Sequence, residues 1–225
     1  MSIQMYNKQM KTFSPALQVL PPPQLKLWHE LDGTPGHFVL YGGTGLALHL
    51  GHRVSVDFDF FSNQAFDPQV LAQSVPYLTG AERVQIAANT LTCRVGGDEG
   101  VLVSFFGGLG LARVAPIERV EGRALRVASV LDIAGTKAAV VQKRAEKKDY
   151  LDIDAVLQSG IALPEILAAA RAIYGNSFNP LITLKALSYF GDIPDLPNVV
   201  QERLRAAVAG VDPLKLPVIK PFDRG

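Results

Sequence analysis

The chain has one cysteine, Cys93, in 225 residues. A single thiol excludes an internal disulfide and any cysteine-rich metal site, and its apolar, strand-like surroundings mark it as a buried small hydrophobe. Charge of one sign is missing too. Lys and Arg number 22 against 21 Asp and Glu, a net charge of +1, so no molecule-wide field attracts nucleic acid and any such partner must be met by local patches. No run approaches the ~18 consecutive apolar residues of a membrane-spanning helix. The opening MSIQMYNKQMKTF lacks the long apolar core of a signal peptide. A cytoplasmic protein with no membrane partner is the expectation, and no internal repeat is visible. With 48% hydrophobic residues, the length suffices for one large domain or two small ones with a real core.

The most informative stretch is 38–62, FVLYGGTGLALHLGHRVSVDFDFFS. Phe38 to Tyr41 is a short apolar run of strand type, stopped by Gly42 and Gly43. Thr44 to Leu50 has helical character, and Gly51 lies where a helix would end. From Val54 to Phe61 the pattern alternates, which predicts a strand with Val54, Val56, Phe58 and Phe60 on a core face. Ser55, Asp57, Asp59 and Phe61 then share the opposite face, with the two carboxylates roughly 6–7 Å apart along the strand. Such a pair suits a hard divalent cation, because Mg²⁺ takes one or two carboxylates and completes its shell with waters and phosphate oxygens. Two glycines let backbone approach a ligand, and the free N–H groups at the following helix start suit a phosphate. Each element alone is more often structural than functional, as an ordinary turn or a solvated edge. Together and in this order they favour a site.

Elsewhere the chain is punctuated clearly. Pro21–Pro23 precede a short helix at 24–31, and 32–36 make a turn. A helix at 68–75 and strands at 83–87, 90–95 and 100–106 follow, the strands as an antiparallel meander. Short strands at 113–115 and 125–127 fit the harder stretch after them. Ser129 then opens a helix running to about Glu146, with Asp132 three residues on as in a capping box. Further helices begin near Asp149 and cover 164–174, 181–190 and 199–208. The expected organisation is α/β (α+β): a mixed sheet with flanking helices at 24–128, a helical region at 129–211 completing the site, an arm at 1–23 and an irregular tail at 212–225.

In the Ser129 helix, Ile133, Ala134, Ala138 and Val141 form an apolar stripe, and Lys137 falls inside it. A lysine there needs a partner or a wet cleft. It is either a snorkelling side chain at a domain edge or a point charge aimed at phosphate. Asp149 and Asp152, three apart, share one side of the next helix, whereas Asp154 points elsewhere, toward solvent. His49 and His52 have no third ligand spaced for zinc. Basic residues cluster at Lys143, Arg144, Lys147 and Lys148, and again at Arg113, Arg119, Arg123 and Arg126. Such clusters are usually solvated faces.

The Gly-Gly, short helix, Asp-apolar-Asp order resembles the signature of the nucleotidyltransferase superfamily with the polymerase-beta-like fold. The fuller string GGTGLALHLGHRVSVDFDFF, with AGTKAAVVQKRAEKKDYLDIDAVL downstream, is similar to the AbiEii/AbiGii toxin family within it, over roughly residues 38–158. Gly45 departs from it, since relatives more often carry Ala there. The resemblance implies an Mg²⁺- or Mn²⁺-dependent transfer of NMP from an NTP to an acceptor hydroxyl, an RNA end such as tRNA being one acceptor. It further implies the toxin half of a toxin–antitoxin or phage-defence pair with a cognate antitoxin. Asp57 and Asp59 become the metal ligands. Lys137 and Asp149 join them in catalysis, and Gly42, Gly43, Thr44, Arg53, Ser55, Lys137 and Asp152 become the nucleotide contacts. The superfamily usually has a third carboxylate on a neighbouring strand, a place that falls here to Ser104. Serine is a poor Mg²⁺ ligand and a weak base. Either Asp149 or Asp152 takes the base role, Asp149 before Asp152, or the protein is a nucleotide- or partner-binding module without the chemistry.

Overall fold

The fold grows outward from one strand–helix–strand unit. In the computed structural model, which describes residues 11–224, the strands in chain order are β1 (Thr12–Phe13), β2 (Val39–Tyr41), β3 (Phe58–Phe61), β4 (Glu82–Ala87), β5 (Thr90–Val95), β6 (Val101–Phe106), β7 (Ala112–Arg113), β8 (Glu118–Val120), β9 (Arg126–Val127) and β10 (Asp223–Arg224). The helices are α1 (Pro22–Trp28), α2 (Gly42–Leu50), α3 (Pro68–Ser74), α4 (Val130–Val140), α5 (Lys147–Gln158), α6 (Leu163–Tyr174), α7 (Pro180–Ala186) and α8 (Asn198–Ala209). Strands β1, β8, β9, β2, β3, β6, β5 and β4 form one mixed sheet in that order, and β10 pairs with β7 in a separate ribbon. This is the mixed α/β architecture that the sequence leads one to expect.

Strands β2 and β3 are antiparallel, with Tyr41 opposite Asp59, and β6 lies parallel beside β3, with Ser104 opposite Asp59. The meander β4–β5–β6 is antiparallel, as expected. Parallel pairings of β1 with β8 and of β2 with β9 are not visible in local sequence. Thus the segment read as an arm supplies a strand to the sheet, and the segment read as a tail ends by pairing with β7.

Each sheet face carries its own core, because strand side chains alternate between faces. Leu40, Phe58, Phe60, Leu91, Cys93, Val103 and Phe105 face one side and pack with Trp28 and Leu71 of α1 and α3. Val39, Tyr41 and Ala128 belong to the other core, with Ile133, Ile153, Ile166 and Leu204 of the helical half. Helix α2 serves both, sending Ala47 and Leu48 to the first and Leu46 to the second. It starts at Gly42 and stops at Gly51, whose φ is +65°.

Three local expectations are corrected. The strand carrying the acids begins at Phe58, not Val54, and Val54 and Val56 are 59% and 49% exposed. Residues 54–57 have no neighbouring strand. They are tied down by the Ser55 N–H on the Val19 carbonyl and by Gln24 Nε2 on the Val56 carbonyl. The Ser129 helix ends at Val140, six residues early, and the turn after it returns Arg144 onto Asp149. Asp154 is not solvated: it is buried and bonded to Arg203, Nε to Oδ1 at 2.7 Å.

Strand β4 is the outer edge on the meander side. Residues on both its faces are exposed, and a bulge leaves Val84 unpaired between Arg83, opposite Cys93, and Gln85, opposite Thr92.

Candidate active site

Sharp local geometry places the glycines. Gly42 has φ +68°, a conformation that a side chain disfavours, and a Cβ there would stand 2.6 Å from Asp59 Oδ2. A Cβ on Gly43 would collide with the Arg53 guanidinium. The first turn of α2 therefore lies against the acidic strand on one side and Arg53 on the other. Its unpaired N–H groups and positive dipole end make that turn a ready anion contact. The Thr44 hydroxyl bonds the Ser55 hydroxyl at 2.7 Å and donates to the Asp57 carbonyl, pinning the loop that delivers Asp57.

These groups open onto a cavity of about 340 Å³. Gly42, Gly43, Thr44, Arg53, Ser55, Asp57, Asp59 and Lys137 all line it, so eight of the ten sequence-selected residues are brought together. Arg144 and Lys148 face the same space, and Phe61, Phe106 and Tyr174 give it an apolar wall. Phe61 shares the face of the acids as expected, whereas Phe106 and Tyr174 went unnoticed in the sequence, because they arrive from elements remote in the chain from the acidic strand and look like core residues.

Asp149 and Asp152 do not line the cavity. Both are fully buried behind Lys137. Lys137 Nζ donates to Asp149 Oδ1 at 2.7 Å and pairs with Asp152 Oδ2 at 2.5 Å. Arg53 grips Asp152 with both prongs, Nε to Oδ1 at 2.6 Å and Nη2 to Oδ2 at 2.9 Å, and His52 Nε2 meets Oδ1 at 2.8 Å. Arg144 Nε donates to Asp149 Oδ2 at 2.9 Å. The three-residue spacing on α5 thus sets two carboxylates behind one ammonium, and the resulting network fixes both Lys137 and Arg53. Burial alone would push the Asp152 carboxyl up, but the His52 and Arg53 hydrogen bonds and the Lys137 charge outweigh it and hold it well below the usual carboxylate range.

Asp59 is perturbed the other way. Burial, then the neighbouring charge of Asp57, raise its carboxyl above the ordinary range, against the opposing pull of Lys137, Lys148 and Arg144. Among the described residues, no side chain hydrogen-bonds or ion-pairs with the carboxylate of Asp57 or of Asp59; the Thr44 bond to Asp57 is to its backbone carbonyl. Two neighbouring hard-oxygen donors, neither paired with a protein cation among the described residues, fit a divalent metal, although no cluster of three or more His, Cys, Asp or Glu is found among the described residues. Ser104, opposite Asp59, is bonded to Thr92 Oγ1 at 3.2 Å and contributes no charge.

No single helix among the described residues is long and apolar enough to cross a membrane. The solved nucleotidyltransferase toxin MenT4 of Mycobacterium tuberculosis H37Rv has a similar fold, with a TM-score of 0.58 at 17% identity over 83% of this chain and 81% of its own. An uncharacterized protein of Aquifex aeolicus (strain VF5) is 30% identical over 166 residues, 71% of this chain and 77% of that one. The family described as nucleotidyl transferase AbiEii toxin, type IV toxin–antitoxin system, matches residues 27–224. On the strength of that match, the chain belongs to the AbiEii nucleotidyltransferase toxin family.

Proposed function

We propose that the cleft transfers a nucleotidyl group from an NTP to the hydroxyl of an RNA acceptor such as a tRNA end. In this reading the protein is the cytoplasmic toxin of a toxin–antitoxin pair, restrained by a cognate antitoxin. The observation that carries the proposal is the meeting, in one cavity, of the unpartnered Asp57–Asp59 pair, the glycine-started helix and Lys137. Asp57 and Asp59 would hold Mg²⁺ or Mn²⁺, and that ion, when bound, neutralises charge on the reacting phosphate and the departing pyrophosphate. The N–H groups at the start of α2, with Arg144 and Lys148, receive the triphosphate. Lys137 adds a fixed positive charge whose direction is set from behind by Asp149 and Asp152. The acceptor oxygen attacks the α-phosphorus, its bond to the bridging oxygen breaks, and pyrophosphate leaves. Asp149 fits a positioning role, since it is buried and already held by Lys137 and Arg144. Asp57 and Asp59 are the carboxylates that line the cleft among the described residues, and in this reading one of them takes the acceptor proton.

Ser104 in the third-acid place favours a second reading, a module that binds nucleotide without reacting. Incubating protein, Mg²⁺ and each α-labelled NTP with bulk tRNA separates the two. Label transfer to RNA that disappears in Asp57→Ala and Asp59→Ala supports the transferase. Nucleotide binding with no transfer under any NTP overturns it in favour of the module.

A further inference from the structure

A second cleft, of about 200 Å³, lies beside the first and shares Phe61 with it. Val39, Tyr41, Asp59 and Phe61 occupy one face of the β2–β3 pair, so both clefts open on the same side of the sheet. Phe61, half-buried and backed by the buried Tyr41 ring 4.9 Å away, is the wall they share. Arg113 of β7 and Arg126 of β9 line the second cleft together with His37, and none of its described lining residues is acidic.

Arg126 is the informative group. Its Nη1 donates to the Gly36 carbonyl, which anchors the side chain, yet its buried Nε has no hydrogen-bond partner among the described residues. An unpaired guanidinium N–H is costly, and an anion meeting the cleft-facing part of the same guanidinium offsets some of that cost by charge. Burial, then the charges of Arg113 and Arg119, depress the Arg126 guanidinium, as expected where positive potential accumulates.

We propose that this second cleft binds a phosphodiester of the acceptor polynucleotide, upstream of the hydroxyl presented to Asp57 and Asp59. An arginine-lined groove beside the half-buried Phe61 suits a single strand, whose phosphate meets the guanidinium and whose base meets the Phe61 ring. A free phosphate would use the same chemistry, but continuity with the reaction cleft favours the strand. The assignment rests on the transfer reading for what lies in the first cleft, but not for its own test.

The test is anisotropy of a short 5′-fluorescein-labelled single-stranded RNA, titrated over a range of salt. The full chain is compared with Arg126→Gln, Arg126→Lys and Gln64→Glu. Gln64 lines the cleft but is exposed, so Gln64→Glu brings a carboxylate there without disturbing the core. Arg126→Gln and Gln64→Glu should each weaken RNA binding about tenfold, and the slope of affinity against salt should fall by about one in Arg126→Gln. Arg126→Lys should keep most of that slope. Binding of a fluorescent NTP analogue should be unchanged in all three. RNA binding within twofold of the parent in both Arg126→Gln and Gln64→Glu overturns the assignment. So does a loss confined to the NTP analogue or to pyrophosphate, or the absence of any RNA binding by the parent chain. If the parent transfers no label yet RNA binding still depends on Arg126, the cleft assignment stands and the transferase reading falls.

Discussion

Asp59 holds its charge at a cost. Because its folded carboxyl titrates above the ordinary range, the contribution it makes to stability is full below the unfolded carboxylate value near 3.9 and is lost as pH rises through the folded value. Without metal at neutral pH, Asp59→Asn should therefore melt higher than the parent, and the gap should close as the pH is lowered toward 4. Added Mg²⁺ should raise the parent's Tm and leave that of Asp59→Asn nearly unmoved. Asp152 has the opposite sign. Its stabilisation is present above the unfolded carboxylate value and is lost only as pH falls through the depressed folded value. Asp152→Asn leaves Lys137, Arg53 and His52 short of a shared anion inside the protein. We expect it to lose about 3–5 kcal/mol in urea titrations at neutral pH.

At the scale of elements, the approach of α2 to α4 decides how close the glycine turn comes to Lys137. Gly45 sits at that crossing. A Cβ added there would be 3.1 Å from Ile133 Cδ1 and 3.3 Å from the Leu40 carbonyl oxygen. Glycine at this position therefore has a packing reason: with Ile133 opposite, the helices close only over a hydrogen. Alanine should gain roughly 0.5–1 kcal/mol of helix preference and lose it again to the crowding. The check is a double-mutant cycle of Gly45→Ala with Ile133→Val, where removal of Cδ1 should make the alanine stabilising. A coupling below the ~0.5 kcal/mol typical of residues in contact would contradict this account.

At the scale of the whole molecule, the helical half shares its core with one face of the sheet. Val39 and Tyr41 from the sheet, with Ala128 just after β9, are buried among Ile133, Ile153 and Ile166. We expect calorimetry of the metal-free chain to show one cooperative transition rather than two. This shared core also explains what was legible in the sequence. Gly42, Gly43, Asp57 and Asp59 lie within one short stretch, and Lys137 breaks an apolar stripe, so local pattern exposes them. The alternation at Val54 and Val56 misled because periodicity cannot report whether a strand has a neighbour. Arg53 beneath Gly43, Tyr174 in the cleft wall and the pairing of β1 with β8 depend on contacts between remote segments, which no local spacing encodes. The spare residue in β4 has a consequence for how copies of this protein meet. It bends the sheet's outer margin away from straightness, and a straight margin is a template on which another chain can polymerise. Deleting Val84 would straighten it, and light scattering should then reveal fibrous growth that the parent, at equal concentration, does not undergo.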